Sequence, residues 1–459
     1  MSTTAVVETR TKEAFEAPVP VPAPDPAGPV LSRPADPMVL LEEEPPEQSL
    51  DKTAALRLAS VCFAFFVAGV NDGSIGALIP YNIKDYNITT NIVSSVYGAS
   101  FAGWLVAALT QTHLRQRADV GVVFALGASA QVASQALRVW KPPFPLFAAS
   151  FFFASVGQAY QDTQGNTFVG TLRASHRWFG LIHGMYAGGC LVGPFVATAI
   201  ASRARWELFY AVPLGMAVVN LGLALVAFWE QTRLLPRRPG SGTSGTAQQE
   251  EPEAGGESAS KLIGLTFRSR SVWILSLFYF FYLGAVITAS GWVVEYLVTV
   301  RHGDLSKMGY VPAGFNGGSL LGRLLLVEPI HRWGTRRVVL LFCVLAIGLQ
   351  LLFWLVPNII AASVAISLFG FFTGPFFPVG MSVAQKLFSP NFRPTAMGFL
   401  FVIAQLGGSL FPIITGVIAG SSSVSVMQPI LVGLMVATTV SWLLVPKAKA
   451  SGNDALHQE

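Results

Sequence analysis

Charge is what this chain has least of. Asp, Glu, Lys and Arg make up 12% of its residues, against about 25% in an average soluble domain. So few charges cannot coat the surface of a water-soluble globule of this length. Cysteine is scarce as well: Cys62, Cys190 and Cys343 are the only three. All fall inside apolar runs and none has metal-ligand spacing, which argues against a disulfide framework or a metal site. The chain has no glycine-rich phosphate loop, no metal motif and no nucleophile elbow, and its six histidines are scattered. ATP-driven work and hydrolytic chemistry therefore lack their usual signatures, and no cofactor is implied. Basic residues interleaved with aromatics are also missing, so the net charge of +5 is no argument for nucleic acid. A cleavable leader is not expected, because the first apolar run begins only near residue 55.

The remainder is apolar. Hydrophobic residues make up 52% of the chain and mean hydropathy is +0.53. Runs of about 20 apolar residues, each long enough to cross a bilayer as a helix, recur throughout. Twelve are read, at 55–80, 91–112, 119–139, 144–169, 178–201, 207–229, 271–299, 309–329, 337–356, 359–382, 395–420 and 424–445. None alternates like a strand, which leaves helices as the spanning structure. With both termini cytoplasmic, the inner loops carry fifteen Lys and Arg. The outer loops carry seven: Lys84, Arg138, Lys141, Arg203, Arg205, Arg301 and Lys307. That bias follows the positive-inside rule and makes the net charge a matter of topology.

Composition divides the chain into five parts. Residues 1–54 form a cytoplasmic tail whose stretch Pro18–Pro26 reads as extended polyproline. Residues 55–229 and 271–445 are equally long and hold six runs each. Residues 230–270, with Pro239–Ser260 rich in Gly, Ser and Glu, read as a flexible cytoplasmic linker, and 446–459 as a second tail. In the first tail Asp36, Leu40 and Leu41 have the spacing of an acidic dileucine signal read by sorting adaptors, a pattern that also arises by chance. A sorted protein would reside on a vacuolar or endosomal membrane; without sorting, the plasma membrane is the destination.

Two carboxylates lie inside apolar runs, Asp72 and Asp162. Such a group costs about 2.5–3.5 kcal/mol on insertion scales, so it is expected to face a protein-lined cavity and to bind something. Gln158, Asp162 and Asn166 recur at i, i+4 and i+8, which puts them on one helix face, flanked by Gln161 and Gly165. A polar stripe of this kind points into the bundle. Interhelical hydrogen bonds average about 0.6 kcal/mol in membranes, too little to justify a lone carboxylate. Asp72 follows Asn71 among Gly69, Gly73 and Gly76, where a helix or a ligand can approach closely. Asn316 and Gln405 either contact a solute or join helices. Trp292 reads as an anchor at the membrane interface, and His183 as a packed histidine.

The halves are related. Placed without gaps, Phe179–Pro194 overlies Met397–Pro412, so that Gly180 meets Gly398, Gly189 meets Gly407 and Pro194 meets Pro412. These are the fifth runs of each half, as a parallel repeat of six-helix units demands. Six plus six helices with a central linker resembles the major facilitator superfamily. Gly322-Arg323 followed by His331–Arg337 is similar to its basic hairpin between the second and third helices of a half, and His113–Asp119 is a degenerate counterpart. Such loops can dock on helix C-terminal ends. Val70–Pro80 resembles the first helix of the fucose–proton symporter group. Gly157–Val169 resembles the fourth, with Asp162 where bacterial members have Glu. Gly370-Phe371, Phe377-Pro378 and Ser382–Ala384 resemble the tenth, and Gly407-Gly408 with Pro412 the eleventh. In style the chain is closest to fungal members. Gly180, Gly189 and Gly193-Pro194 are also similar to a fifth-helix motif of proton-driven exporters; tight helix packing is the simpler reading.

The resemblance implies an all-α membrane protein with twelve transmembrane helices in two pseudo-symmetric six-helix halves. It implies a secondary transporter of a small polar solute, with a sugar or polyol as first guess, coupled to protons. The acids of the resembled group bind substrate and couple protons. Carried over, proton coupling falls to Asp162 and Asp72, and solute binding to Asn71, Asp72, Gln158, Asp162, Asn166, Asn316 and Gln405. A carboxyl group shut in a closed cavity holds a proton that it gives up on facing water, which can link protonation to conformation. The partners are then the solute, protons and the lipid bilayer. Two alternatives stand beside this reading: proton-driven export of an organic metabolite, and a non-transporting sensor or scaffold.

Overall fold

The computed structural model describes residues 50–115, 117–173, 175–232, 259–389 and 392–446, and its regular elements are helices. The sorting segment around Asp36, Leu40 and Leu41 lies outside the described residues, as do most of both tails and 233–258. A first set of helices comprises α1 (Lys52–Tyr86), the short α2 (Thr90–Val93), α3 (Ser95–Arg115), α4 (Val120–Val139), α5 (Phe144–Gly170), α6 (Ser175–Ala201) and α7 (Ala211–Ala227). The helix α8 (Ala259–Arg268) follows, within the stretch read as flexible linker; that reading is corrected there, since apolar residues recur at helical spacing up to Phe267. The second set comprises α9 (Arg270–Thr299), the short α10 (Leu305–Met308), α11 (Val311–Leu325), the short α12 (Val327–Trp333), α13 (Thr335–Leu355), α14 (Ile359–Thr373), α15 (Phe376–Leu387), α16 (Arg393–Ser421) and α17 (Met427–Leu444).

Local chemistry sets the ends. Asp51 caps α1 by accepting the Ala54 N–H at 2.7 Å, and Asn87 closes it in the left-handed region at φ 51°, a conformation that Asn tolerates better than most residues. Among the described residues, ten helical stretches are long and apolar enough to cross a membrane. The runs 144–169 and 309–329 are not among them. The first forms α5, 27 residues long but carrying Gln158, Gln161, Asp162, Gln164 and Asn166; the second forms α11, which has only 15 residues. The run 359–382 is not one helix either. Pro375 has no N–H to give, so the chain breaks into α14 and α15. Pro378, one turn on, leaves the Gly374 carbonyl without its helical donor, and carbonyls around the break meet side-chain donors. Arg323 Nε donates to the Gly374 oxygen at 3.2 Å, and the Tyr279 hydroxyl to the Phe377 oxygen at 2.6 Å. Neighbouring helices commonly rescue a broken membrane helix in this way.

The two sets repeat one packing scheme. In the first, α1 packs on α6 and α7, α5 on α3 and α4, and α4 on α7; in the second, α9 packs on α16 and α17, α14 on α11 and α13, and α13 on α17. The aligned glycines serve this scheme. Gly189 of α6 lies against the Phe66 carbonyl of α1, and Gly407 of α16 against the Phe280 carbonyl of α9, with no room for a Cβ at either. Where the sets meet, α1 faces α9, α3 faces α16, and α6 faces α11.

The bundle end holding the start of α1 and the ends of α7 and α17 is termed proximal here, and the other distal. At the proximal end arginines cap C-terminal carbonyls: Arg57 Nε donates to the Ala227 oxygen at 3.2 Å and Arg336 to the Leu443 oxygen at 2.6 Å. Cations near helix C-termini complement the macrodipole. The distal end is closed between the sets. Gly76 lies against the Ser290 carbonyl, the Thr90 hydroxyl donates to the Gly416 oxygen at 3.0 Å, and Phe195 meets Tyr310 with ring centroids 5.7 Å apart. A Cβ branch at Gly76 cannot coexist with that closure. In a background free of native cysteines, Ser94→Cys should resist a water-soluble maleimide, and adding Gly76→Val should speed labelling several-fold. Equal labelling in a monodisperse variant would mean that the contact gives way locally without opening the end.

Candidate functional site

A cavity of about 150 Å³ lies between the two sets, midway along the bundle. The first set contributes Asp72, Gln158 and Tyr186 to its wall and the second Asn316, Arg323 and Gln405; serine hydroxyls and the rings of Tyr97, Trp104 and Phe315 complete it.

Asp72 is the hub. Asn71 Nδ2 donates to its Oδ1 at 2.9 Å, Gln158 of α5 donates to the same oxygen at 3.0 Å, and the Tyr186 hydroxyl of α6 donates to Oδ2 at 2.9 Å. Three helices thus converge on one carboxylate, and each of these three partners is a donor. A carboxylate accepts about four hydrogen bonds, so one position is left for a ligand. Tyr186 reaches Asp72 because Gly69 and Gly73 let the α1 backbone lie directly on that of Tyr186 and Cys190.

Behind Asp72 stands a buried arginine. Arg138 of α4 is 0% exposed. Its Nη1 donates to Asn71 Oδ1 and its Nε to Ser150 Oγ, both at 2.7 Å, and the guanidinium lies 3.7 Å from the Phe151 ring centroid. Gln135 donates to the same Asn71 oxygen at 3.0 Å. With its oxygen taken by two donors, Asn71 must turn its NH₂ toward Asp72. The position read from sequence as an outer-loop charge is therefore corrected: α4 carries Arg138 into the bundle, and Asn71 links it to Asp72.

Not every expected site residue reaches the cavity. Asp72, Gln158, Asn316 and Gln405 are on the wall. Asn316 donates its NH₂ to the Cys190 carbonyl at 2.9 Å. Asn71, expected to bind solute, is 4% exposed and turned toward α4, because successive residues point about 100° apart on a helix. Asp162 and Asn166 lie one and two turns beyond Gln158 and do not line the cavity; Asn166 donates to the Asp162 backbone carbonyl at 2.9 Å. Gln161 faces away and accepts from Gln131 at 2.6 Å and from Asn220 at 3.0 Å. Trp292 is not an interface anchor. It is 0% exposed, and its indole N–H donates to the Pro412 carbonyl at 3.0 Å. His183 packs between Phe65 and Phe377, with centroids at 5.5 and 5.8 Å.

Sequence reasoning passed over Tyr97, Tyr186, Arg138 and Arg323. For the two arginines the signal was present, since each is a charge within an apolar run. Arg138 was assigned to a loop and Arg323 to the basic hairpin. The structure puts Arg323 on the cavity wall, in the last turn of α11 and ahead of the hairpin cations Arg332, Arg336 and Arg337. Glu295, 6% exposed in α9, is a further intramembrane acid the same rule would have flagged, although it does not line the cavity.

The Arg138–Asn71–Asp72 linkage makes a measurable demand. Removing one partner of a buried charge pair destabilises by about 3–5 kcal/mol. Arg138→Gln should lower the apparent melting temperature, and adding Asp72→Asn should recover part of the loss. Strictly additive losses in the double variant would mean that the two charges are not coupled.

The sequence profile of the Major Facilitator Superfamily matches residues 61–366 and 296–459. "Bypass of stop codon protein 6" of Saccharomyces cerevisiae (strain ATCC 204508 / S288c) is 27% identical over 417 residues, covering 85% of this chain and 82% of the yeast protein. Among solved structures, the inward-facing, unoccupied bacterial homologue of the human lysosomal transporter Spinster superposes with a TM-score of 0.65 at 15% identity, covering 86% of this chain and 96% of that one. The transporter FucP in its outward conformation superposes at 0.59 and 14% identity, covering 86% and 100%.

Proposed function

Because the chain belongs to the major facilitator superfamily, whose members are secondary transporters working by alternating access, we propose that the central cavity binds a small hydroxylated solute and that proton movement drives its transport. The observation that carries this is Asp72, a carboxylate on the wall of a cavity between two repeat-related helix sets, held by donors from α1, α5 and α6. Intramembrane acids of this kind mark substrate and proton pathways. The cavity is smaller than the roughly 300–1,000 Å³ of pockets for drug-sized ligands, which favours a compact solute over a bulky amphipathic one.

In this reading α5 and α11 also cross the bilayer, giving twelve spans in two six-helix halves. The proximal end is cytoplasmic, because the inner-loop cations lie there. Asp72 and Gln158 bind the solute from the first half, and Asn316 and Gln405 from the second. Asp162 carries the proton. Its place one turn from Gln158, which itself touches Asp72, supports this, since a change of charge there can be felt at the solute site through one side chain. Closure of the distal contacts and opening of the proximal end would form one half of the cycle, and the reverse the other. The plasma membrane is the proposed location, and imaging of a Leu40→Ala, Leu41→Ala variant tests whether the tail redirects the protein.

Purified protein reconstituted in vesicles tests the reading with a panel of labelled sugars and polyols under an imposed pH gradient. For the solute that is carried, Asp72→Ala should weaken binding by about 5- to 150-fold, the equivalent of roughly 1–3 kcal/mol for a buried partner left unpaired. Unchanged affinity would remove Asp72 from the solute site. Asp162→Asn should abolish gradient-driven accumulation while leaving exchange between two loaded sides. Full accumulation in that variant would take the proton role away from Asp162. The orientation of the gradient that drives uptake separates import from export.

A further inference from the structure

The cavity wall carries two charges. Asp72 comes from α1 and Arg323 from α11. They are not equivalent in their surroundings. Asp72 is surrounded by donors from its own half, so that only about one of its acceptor positions is unused. Arg323 uses Nε to hold the Gly374 carbonyl at the α14–α15 break. Among the described residues it makes no ion pair, and its other four N–H groups are not committed to a carboxylate. A guanidinium inside a membrane bundle without a counter-ion is costly, and its planar fork matches a carboxylate in bidentate geometry. A third feature lies on the same wall. Tyr97 is 5% exposed and its hydroxyl has no hydrogen-bond partner. It rests over Gly291 of α9, where any side chain larger than hydrogen would collide with it.

We propose that the solute is a hydroxylated carboxylate: its carboxyl group binds Arg323 in the second half, and its hydroxyl groups bind Asp72 and Tyr97 in the first. The inference rests on the cavity being the solute site, and it narrows that reading from neutral polyols to their acids. Binding at both ends also gives the solute a mechanical part. A molecule that ties α11 to α1 across the cavity holds the two halves together in a way that neither a neutral polyol nor a simple short-chain acid can. An ammonium in place of the hydroxyls suits the site less well, since Asp72 is already joined through Asn71 to the buried Arg138 guanidinium.

Matched pairs that differ only at one carbon test this: D-gluconate against D-glucitol, and D-glycerate against glycerol. The readout is thermal stabilisation of the full-length protein together with binding of the radiolabelled compound. At least one acid should stabilise the wild type while its alcohol does not. Arg323→Gln should lose acid binding at least tenfold, and Arg323→Lys, which keeps the charge but not the fork, should retain part of it. The Gln variant's own melting temperature, read without ligand, separates damage at the Gly374 carbonyl from loss of the anion site. Binding of an alcohol as tight as that of its acid, an acid insensitive to Arg323→Gln, or no acid bound at all overturns the inference. If an alcohol binds and depends on Asp72, the solute site survives with a neutral ligand. If nothing binds and no compound of the transport panel is carried, the site reading itself falls.

Discussion

A charge cannot be left alone in hydrocarbon, and the structure is organised around how it meets that constraint at Asp72. The carboxylate is held by donors from α1, α5 and α6, and through Asn71 it is joined to a guanidinium on α4. Four helices of the first half are thereby tied to one another by a single polar node. The node can exist only because α1 and α6 touch backbone to backbone at Gly69 and Gly73. In a membrane, apolar contact between helices gains little over contact with lipid, so close backbone packing and interhelical hydrogen bonds must do what a hydrophobic core does in water. Here the same packing that stabilises the half also positions the carboxylate at the face that meets the second half.

The second half meets the constraint differently. Its counterpart glycine, Gly407, gives the same close approach of α16 to α9, but among the described residues no carboxylate node is built on it. Its polar wall consists of two amides, the hydroxyls of Ser290, Ser319 and Ser409, and Arg323, and Arg323 doubles as a prop for the broken helix at Gly374-Pro375. The repeat has thus been kept as a scaffold while its chemistry has diverged, leaving a half that presents a carboxylate and a half that presents a guanidinium across one cavity. A solute with a group for each can bridge the two. Such a bridge couples binding to the relative position of the halves more directly than contacts confined to one of them.

Much of this was legible in the sequence, and the part that was not has a common cause. Apolar runs located the long helices, and the glycine and proline register exposed the repeat, because both follow from periodicities the bilayer imposes. Asp72 and Gln158 were legible as cavity-facing because a polar group in an apolar run has few other reasons to exist. What the pattern could not supply was direction across helices. Asn71 stands next to Asp72 in sequence yet faces α4, and Trp292 turns inward to donate to the Pro412 carbonyl of α16. Tyr186 and Tyr97 were invisible, since a tyrosine in an apolar run looks like packing until its hydroxyl is seen against a partner or without one. Arg138 and Arg323 were misplaced for a simpler reason: each lies near the end of a run, where a charge is expected for topology alone.

Rocking of two halves about the Asp72–Arg323 cavity is the central claim, and distances between spin labels in reconstituted protein test it most directly. One label pair would span the distal end, at Ser202 and His302, and another the proximal end, at Arg173 and Ser389. Measured at acidic and at neutral pH, the two distances should shift in opposite senses, the distal pair lengthening in the population where the proximal pair shortens. A distal distance that stays single and unchanged in both conditions, while the same preparation carries solute, would contradict alternating access about this cavity.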